Sequence, residues 1–175
     1  MHRPGAGVTA GAQEVIDRVL AVVAGEVITL SDVRIARELD RVEAGDTEDG
    51  TRAALRQLID RALILAEADR FAPPEPPAAA VDAALAGLIA EAGSRERLDA
   101  RVRRLGVDLA YVREMLRQDL RIRAYLDQRF TADTPEQQRR LVEEWVAGLR
   151  TRADIVDVAE EISVPAPGTA APARD

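Results

Sequence analysis

The sequence predicts a mainly α-helical protein with a small β-sheet, built from an amino-terminal hairpin and a carboxy-terminal strand. Strand patterns occur near the two ends, within Val15–Ile28 and at Ile155–Val158. The apolar residues between them recur at helical spacing, as Leu55, Leu58 and Ala62 do. An isolated hairpin is marginal in water, so we expect the late strand to pair with it and complete the sheet.

The predicted hairpin consists of a β-branched run, a tight turn and a shorter returning strand. Both alternating faces of the run are apolar, with Val15, Val19, Ala21 and Val23 on one and Ile16, Leu20 and Val22 on the other. This pattern favours a strand that is covered on both faces. Ala24-Gly25 predicts the turn, because glycine accepts positive φ. Ser31 is expected to cap the first helix.

Six helices are predicted between the hairpin and the late strand. They cover Asp32 to about Ala44, Thr51 to about Arg70, Ala78 to Ala92, Arg95 to Leu105, Asp108 to Phe130, and a last one that begins at Pro135. A loop is expected over Gly45–Gly50, and the proline-rich residues 72–77 predict an extended connector. Thr134 and Gln137 have the spacing of a capping box, with proline at the first helical position.

The core domain is predicted to span residues 14–158. Residues 1–13 and 159–175 are rich in Gly, Ala or Pro, and we expect them to be a disordered leader and tail. Ala10-Gly11-Ala12 is similar to the small-residue end of a signal peptide, and a plain disordered leader is the alternative.

Composition narrows the classes of function. The chain of 175 residues has a net charge of −7, which argues against a general nucleic-acid binder. It has no cysteine and a single histidine, His2, so we predict no zinc site, no catalytic triad and no cofactor. No apolar run is long enough for stable membrane insertion, and the sequence leaves the oligomeric state open.

The order of motifs resembles that of SurA-type periplasmic chaperones. The matching segments are Ile16-Asp17-Arg18-Val19, Val27-Ile28-Thr29-Leu30-Ser31-Asp32, Leu58-Ile59-Asp60-Arg61-Ala62-Leu63-Ile64-Leu65, Arg117-Gln118-Asp119, and Trp145-Val146-Ala147-Gly148-Leu149-Arg150 with the strand that follows. Members of this family usually carry parvulin-type prolyl isomerase domains before the last helix. Here Phe130 is followed almost at once by Thr134, so those domains are missing.

The resemblance implies the chaperone core alone. Such a protein would be periplasmic and would bind unfolded or partly folded polypeptides without ATP, with outer-membrane β-barrel proteins as plausible clients. Two alternatives stay open: a helical module that docks one dedicated envelope partner, and a residual prolyl isomerase, for which the sequence offers no catalytic site.

Four side chains are candidates for client binding, because methionine and aromatic residues adapt to varied partners. They are Tyr111, Met115, Tyr125 and Phe130. The alternative is that these residues form core, as helically spaced apolar residues usually do. Trp145 is expected to anchor the last helix. The five arginines within residues 95–104 form either a docking patch for an acidic partner or a solvated helix face with its own ion pairs.

Overall fold

A computed structural model describes residues 17–39 and 48–158. Within these residues it contains three strands and six helices: β1 (Val19–Val23), β2 (Glu26–Thr29), α1 (Leu30–Glu38), α2 (Glu48–Phe71), α3 (Ala78–Ala92), α4 (Arg95–Arg104), α5 (Leu109–Arg129), α6 (Pro135–Arg152) and β3 (Ile155–Asp157). The predicted mainly α-helical fold with a small sheet is confirmed. The predicted leader and tail lie outside the described residues.

The three strands form one antiparallel sheet in the order β2-β1-β3. Ala24 and Gly25 turn the hairpin with φ of 51° and 88°, as the sequence predicts. β3 pairs with β1, with Val156 opposite Val22. The expected joining of the carboxy-terminal strand to the hairpin is therefore confirmed.

The prediction that alternate residues of the first strand share a face is wrong because of a β-bulge. The register shifts between Val19 and Ala21, so that Leu20 and Ala21 both join the core. On the outer face, Val22 lies directly opposite Val27 of β2 and Val156 of β3. We call these three residues the valine row. Val27 and Val156 are 51% and 52% exposed, so the described residues do not cover both faces of the sheet.

The first helix begins earlier than predicted, because its cap is Thr29 and not Ser31. The Thr29 side chain accepts a hydrogen bond from the Asp32 backbone amide, and the Asp32 carboxylate accepts one from the Thr29 amide, which completes a capping box. Ser31 instead donates its amide to the Asp17 carboxylate at 3.2 Å. Hydrogen bonding from the side chain of Thr29, and further bonds from Ser31, lower the pKa of Asp17.

The second helix also begins earlier, since Glu48, Asp49 and Gly50 are helical where the sequence predicted a loop. Carboxylates in a first turn suit the positive end of the helix dipole. The predicted bounds of α3 are confirmed, and Thr134 and Pro135 begin α6 as expected. The Gln137 side chain accepts from the amide of Asp133, one residue before the expected partner Thr134.

The buried residues form three clusters, two of which include residues of α2. One joins the inner face of the sheet to α2 and α6. A second joins α1 to α3, α4 and α5, and a third lies between α2, α5 and α6. Among the described residues, no helix has the length and apolarity needed to span a lipid bilayer.

Candidate functional site

An open cleft of about 470 Å³ lies beside the hairpin, between β2 and helices α1, α2 and α5. The capping box at Thr29 turns the chain directly from β2 into α1, so strand and helix form adjoining walls. The apolar lining residues are Val27, Ile28, Ile35, Ala36, Leu58, Ala62, Leu65, Tyr111 and Met115. A concave surface with this lining can hold apolar side chains of a bound molecule.

One wall of the cleft is an open sheet edge. In the order β2-β1-β3, β2 pairs with β1 on one side, and no strand within residues 17–39 and 48–158 pairs with its other side. Edge strands of this kind present backbone donors and acceptors that another extended chain can bind. Val27 gives this edge an exposed apolar side chain.

Tyr111 links two walls of the cleft. Its hydroxyl donates to the Asp32 carboxylate across the cleft at 3.3 Å, while the ring remains 39% exposed. Partial burial raises the pKa of the Tyr111 hydroxyl, and the negative charge of Asp32 raises it further. The tyrosine is therefore protonated at neutral pH and acts as a hydrogen-bond donor.

Arg61 fixes the opposite wall by joining α2 to α5. Its guanidinium donates to the Asp119 carboxylate at 3.0 Å, to the Gln118 side chain at 3.1 Å and to the Met115 carbonyl at 3.3 Å. Both charged side chains are largely shielded from water, so this pairing is stronger than an exposed one. The Arg61–Asp119 pair also borders a second groove between α2, α5 and α6, of about 580 Å³.

Four of the five aromatic residues of the chain meet where α2, α5 and α6 come together. Tyr125 stacks on Phe71 at 5.7 Å between ring centroids and lies 6.0 Å from Trp145, which lies 5.3 Å from Phe130. The guanidinium carbon of Arg129 lies 5.2–6.0 Å from all four ring centroids. This arrangement is favourable for cation–π attraction, and we call these residues the aromatic cluster.

Two of the four client-binding candidates belong to the aromatic cluster. Tyr125 is only 4% exposed, and its buried hydroxyl has no hydrogen-bond partner among the described residues. Phe130 is half-buried at the end of α5. Tyr111 and Met115 instead line the cleft. The four residues therefore divide between two places, and only the second pair lies on an open concave surface.

Several residues that shape the cleft show no sign of that role in the sequence. The sequence predicts Val27 only as part of the shorter returning strand, Asp32 as the start of a helix, and Arg61 as part of a family motif. Arg61 and Asp119 are 58 positions apart, and a single sequence carries no signal that pairs them. The charge of Glu26 at the open edge could have been noticed, because edge strands often carry charged side chains.

The arginines of α4 are partly engaged in structural pairs. Arg103 pairs with Asp99 one helical turn away at 2.9 Å, and Arg101 reaches across to Glu38 of α1 at 3.0 Å. These contacts favour the solvated helix face over a docking patch. Within the described ranges, His, Cys, Asp and Glu side chains form no group suited to holding a metal ion.

Neither models of known protein families nor curated protein sequences match this chain.

Proposed function

We propose that this protein is a non-enzymatic, ATP-independent chaperone that binds extended segments of unfolded polypeptides. The observation that supports the proposal is the open edge of β2, which borders a cleft lined by both apolar and charged residues. An extended chain can add to such an edge through backbone hydrogen bonds, which do not depend on the client's sequence. A chaperone for varied clients needs this kind of sequence-independent contact.

The cleft supplies the side-chain contacts that accompany strand addition. Val27 and Tyr111 present exposed apolar surface, and the half-buried Met115 lies near them on the cleft wall. Methionine and aromatic side chains repack around different partners at low cost. We therefore assign client binding to Tyr111 and Met115, and treat Tyr125 and Phe130 as packing residues that hold α5 against α6.

The resemblance to SurA-type chaperones supports the same class of function and adds a location. On this proposal the protein works in the periplasm, and its clients include outer-membrane β-barrel proteins before they fold. The strands of such barrels are extended, alternate in polarity and lack partners until the barrel closes. Extended strands without partners can pair with an open strand edge such as that of β2.

The proposal is tested by suppression of aggregation. An unfolded outer-membrane barrel protein is diluted from denaturant, without nucleotide, in the presence of this protein at several-fold excess, and light scattering is followed. We expect scattering to fall in proportion to the chaperone present. Unchanged scattering at several-fold excess would reject the proposal.

A matched pair of variants localises the activity. Val27→Ser removes an exposed apolar side chain from the open edge that borders the cleft, whereas Leu141→Ser removes one of similar exposure, 42%, from α6 outside it. We expect suppression to weaken in the first variant and to persist in the second. Equal loss in both would show that binding does not use the cleft.

Stoichiometric recovery of one envelope protein, with no effect on unfolded barrels, would favour the dedicated-partner alternative.

A further inference from the structure

We infer that the cleft selects extended polypeptide segments in which cationic residues alternate with apolar ones. The inference rests on the proposed function and names the class of client. It follows from the charges that line the cleft and from the direction in which the sheet places side chains on an added strand.

Carboxylates outnumber cations in the cleft. Its lining contains the five acidic side chains Glu26, Asp32, Asp69, Glu114 and Asp119, against the two guanidinium groups of Arg61 and Arg121. Both guanidinium groups are engaged, Arg61 with Asp119 and Arg121 with Asp69 at 2.7 Å. Glu114 pairs with an arginine of its own helix.

Two of these carboxylates have no cationic partner among the described residues, and they lie at opposite ends of the open edge, Glu26 at the start of β2 and Asp32 just after its end. Glu26 makes no ion pair within residues 17–39 and 48–158, and Asp32 accepts only from the neutral donors Thr29 and Tyr111. Both carboxylates line the cleft beside β2. Each carboxylate can therefore accept a separate cationic side chain of an added strand, at a position that no arginine of the described residues occupies.

The sheet register determines which side chains of an added strand would reach these carboxylates. Residues directly opposite each other on paired strands share a face, and successive residues alternate between faces. Val27 belongs to the valine row on the outer face, so an apolar client residue beside it extends that row to a fourth strand. The next client residue lies on the face of Glu26, where a lysine or arginine forms a cross-strand pair of opposite charge.

Three labelled peptides of about eight residues, long enough to cover β2, test this inference by fluorescence anisotropy with the full chain. All have valine at alternate positions, and the intervening residues are lysine, glutamine or glutamate. We expect the lysine peptide to bind tightest and the glutamate peptide about tenfold more weakly, with the difference shrinking at high salt. Equal affinity, or tighter binding of the glutamate peptide, would overturn the inference and leave the proposed function standing.

Charge-removing variants locate the effect. Glu26→Gln should weaken binding of the lysine peptide about threefold and leave the glutamine peptide unchanged. Glu91→Gln, an exposed carboxylate of α3 outside the cleft, should change neither. If both variants weaken binding of the lysine peptide equally, the preference for cationic peptides reflects only the net charge of the protein. That result would overturn the inference.

Two other outcomes would also overturn the inference. Failure of all three peptides to bind would reject both together, because no extended segment would then use the edge. A dimer in sedimentation that Val27→Ser dissociates would show that a second copy occupies the edge, which overturns the inference in favour of self-association.

Discussion

The buried hydroxyl of Tyr125 gives a prediction of unusual sign, namely that its removal stabilises the protein. The ring is 4% exposed within the aromatic cluster, and its hydroxyl makes no hydrogen bond to the described residues. A buried polar group without a partner loses its hydrogen bonds to water and gains none in return. Tyr125→Phe removes that group and keeps the ring contacts with Phe71 and Trp145.

The expected magnitude follows from the cost of the unsatisfied group. An orphaned buried donor costs about 1–3 kcal/mol, and slight relaxation around the hydroxyl recovers part of it. We therefore expect Tyr125→Phe to raise the free energy of unfolding by about 1 kcal/mol. In a chain of 175 residues this corresponds to an increase in Tm of about 3 °C.

Urea denaturation followed by far-UV circular dichroism measures the change in the free energy of unfolding. An unaltered m value would show that both proteins unfold in the same way, so that their free energies can be compared. Tyr111→Phe is the matched control, because the Tyr111 hydroxyl donates to Asp32 and should cost about 0.5 kcal/mol when removed. A destabilisation of about 0.5 kcal/mol or more in Tyr125→Phe would refute the reasoning, because it would show that the hydroxyl is satisfied.

Three further changes test the packing and the sheet. Trp145→Ala should cost about 3 kcal/mol in a denaturant melt, because it removes the ring between Tyr125 and Phe130, and a loss below about 1 kcal/mol would contradict its role as an anchor. Deleting residues 153–175 removes β3, so amide exchange in Val19–Val23 should accelerate, whereas unchanged protection would disprove the pairing. Asp17→Ala should destabilise the protein at neutral pH. Since the folded-state pKa of Asp17 lies below its ordinary value of 3.8, this stabilisation is present above that pH and is lost as pH falls through the folded-state pKa. A difference from the natural protein that does not shrink as the pH falls below 3.8 would contradict it.

The element order could be predicted from the sequence because local signals mark most boundaries. Ser94, Asp108 and Thr134 each accept a hydrogen bond from the backbone amide three residues later, as cap residues do. The predicted pairing of the late strand was confirmed because a hairpin in water needs a further strand. The cap signals depend on short-range chemistry that one sequence displays in full.

The faces of the first strand were not predictable in the same way. Alternation assumes that every residue has one partner, and the bulge at Leu20 breaks that rule without any glycine or proline to mark it. The first cap was misplaced for a related reason. Thr29 and Ser31 are both good caps, and the choice depends on the reciprocal bond from Asp32 to the Thr29 amide.

The cleft could not be predicted because its walls come from distant parts of the chain. Tyr111 and Asp32 are 79 positions apart, and the contacts of Arg61 lie 54–58 positions away. Periodicity identifies an apolar stripe on a helix but does not say which other helix covers it. Tyr111 and Tyr125 accordingly look alike in the sequence, and only the packing places one in a cleft and the other in a core.

The pairing of β3 with β1 also has a consequence for the order of folding. Val22 and Val156 are neighbours in the sheet although most of the chain separates them, so this contact closes a very long loop. On a chain emerging from the ribosome, the hairpin is made before all six helices and its third strand only after them. We therefore expect the slowest refolding step to be the docking of α6 and β3. During synthesis both sides of the hairpin would lack partners and be open to other chains.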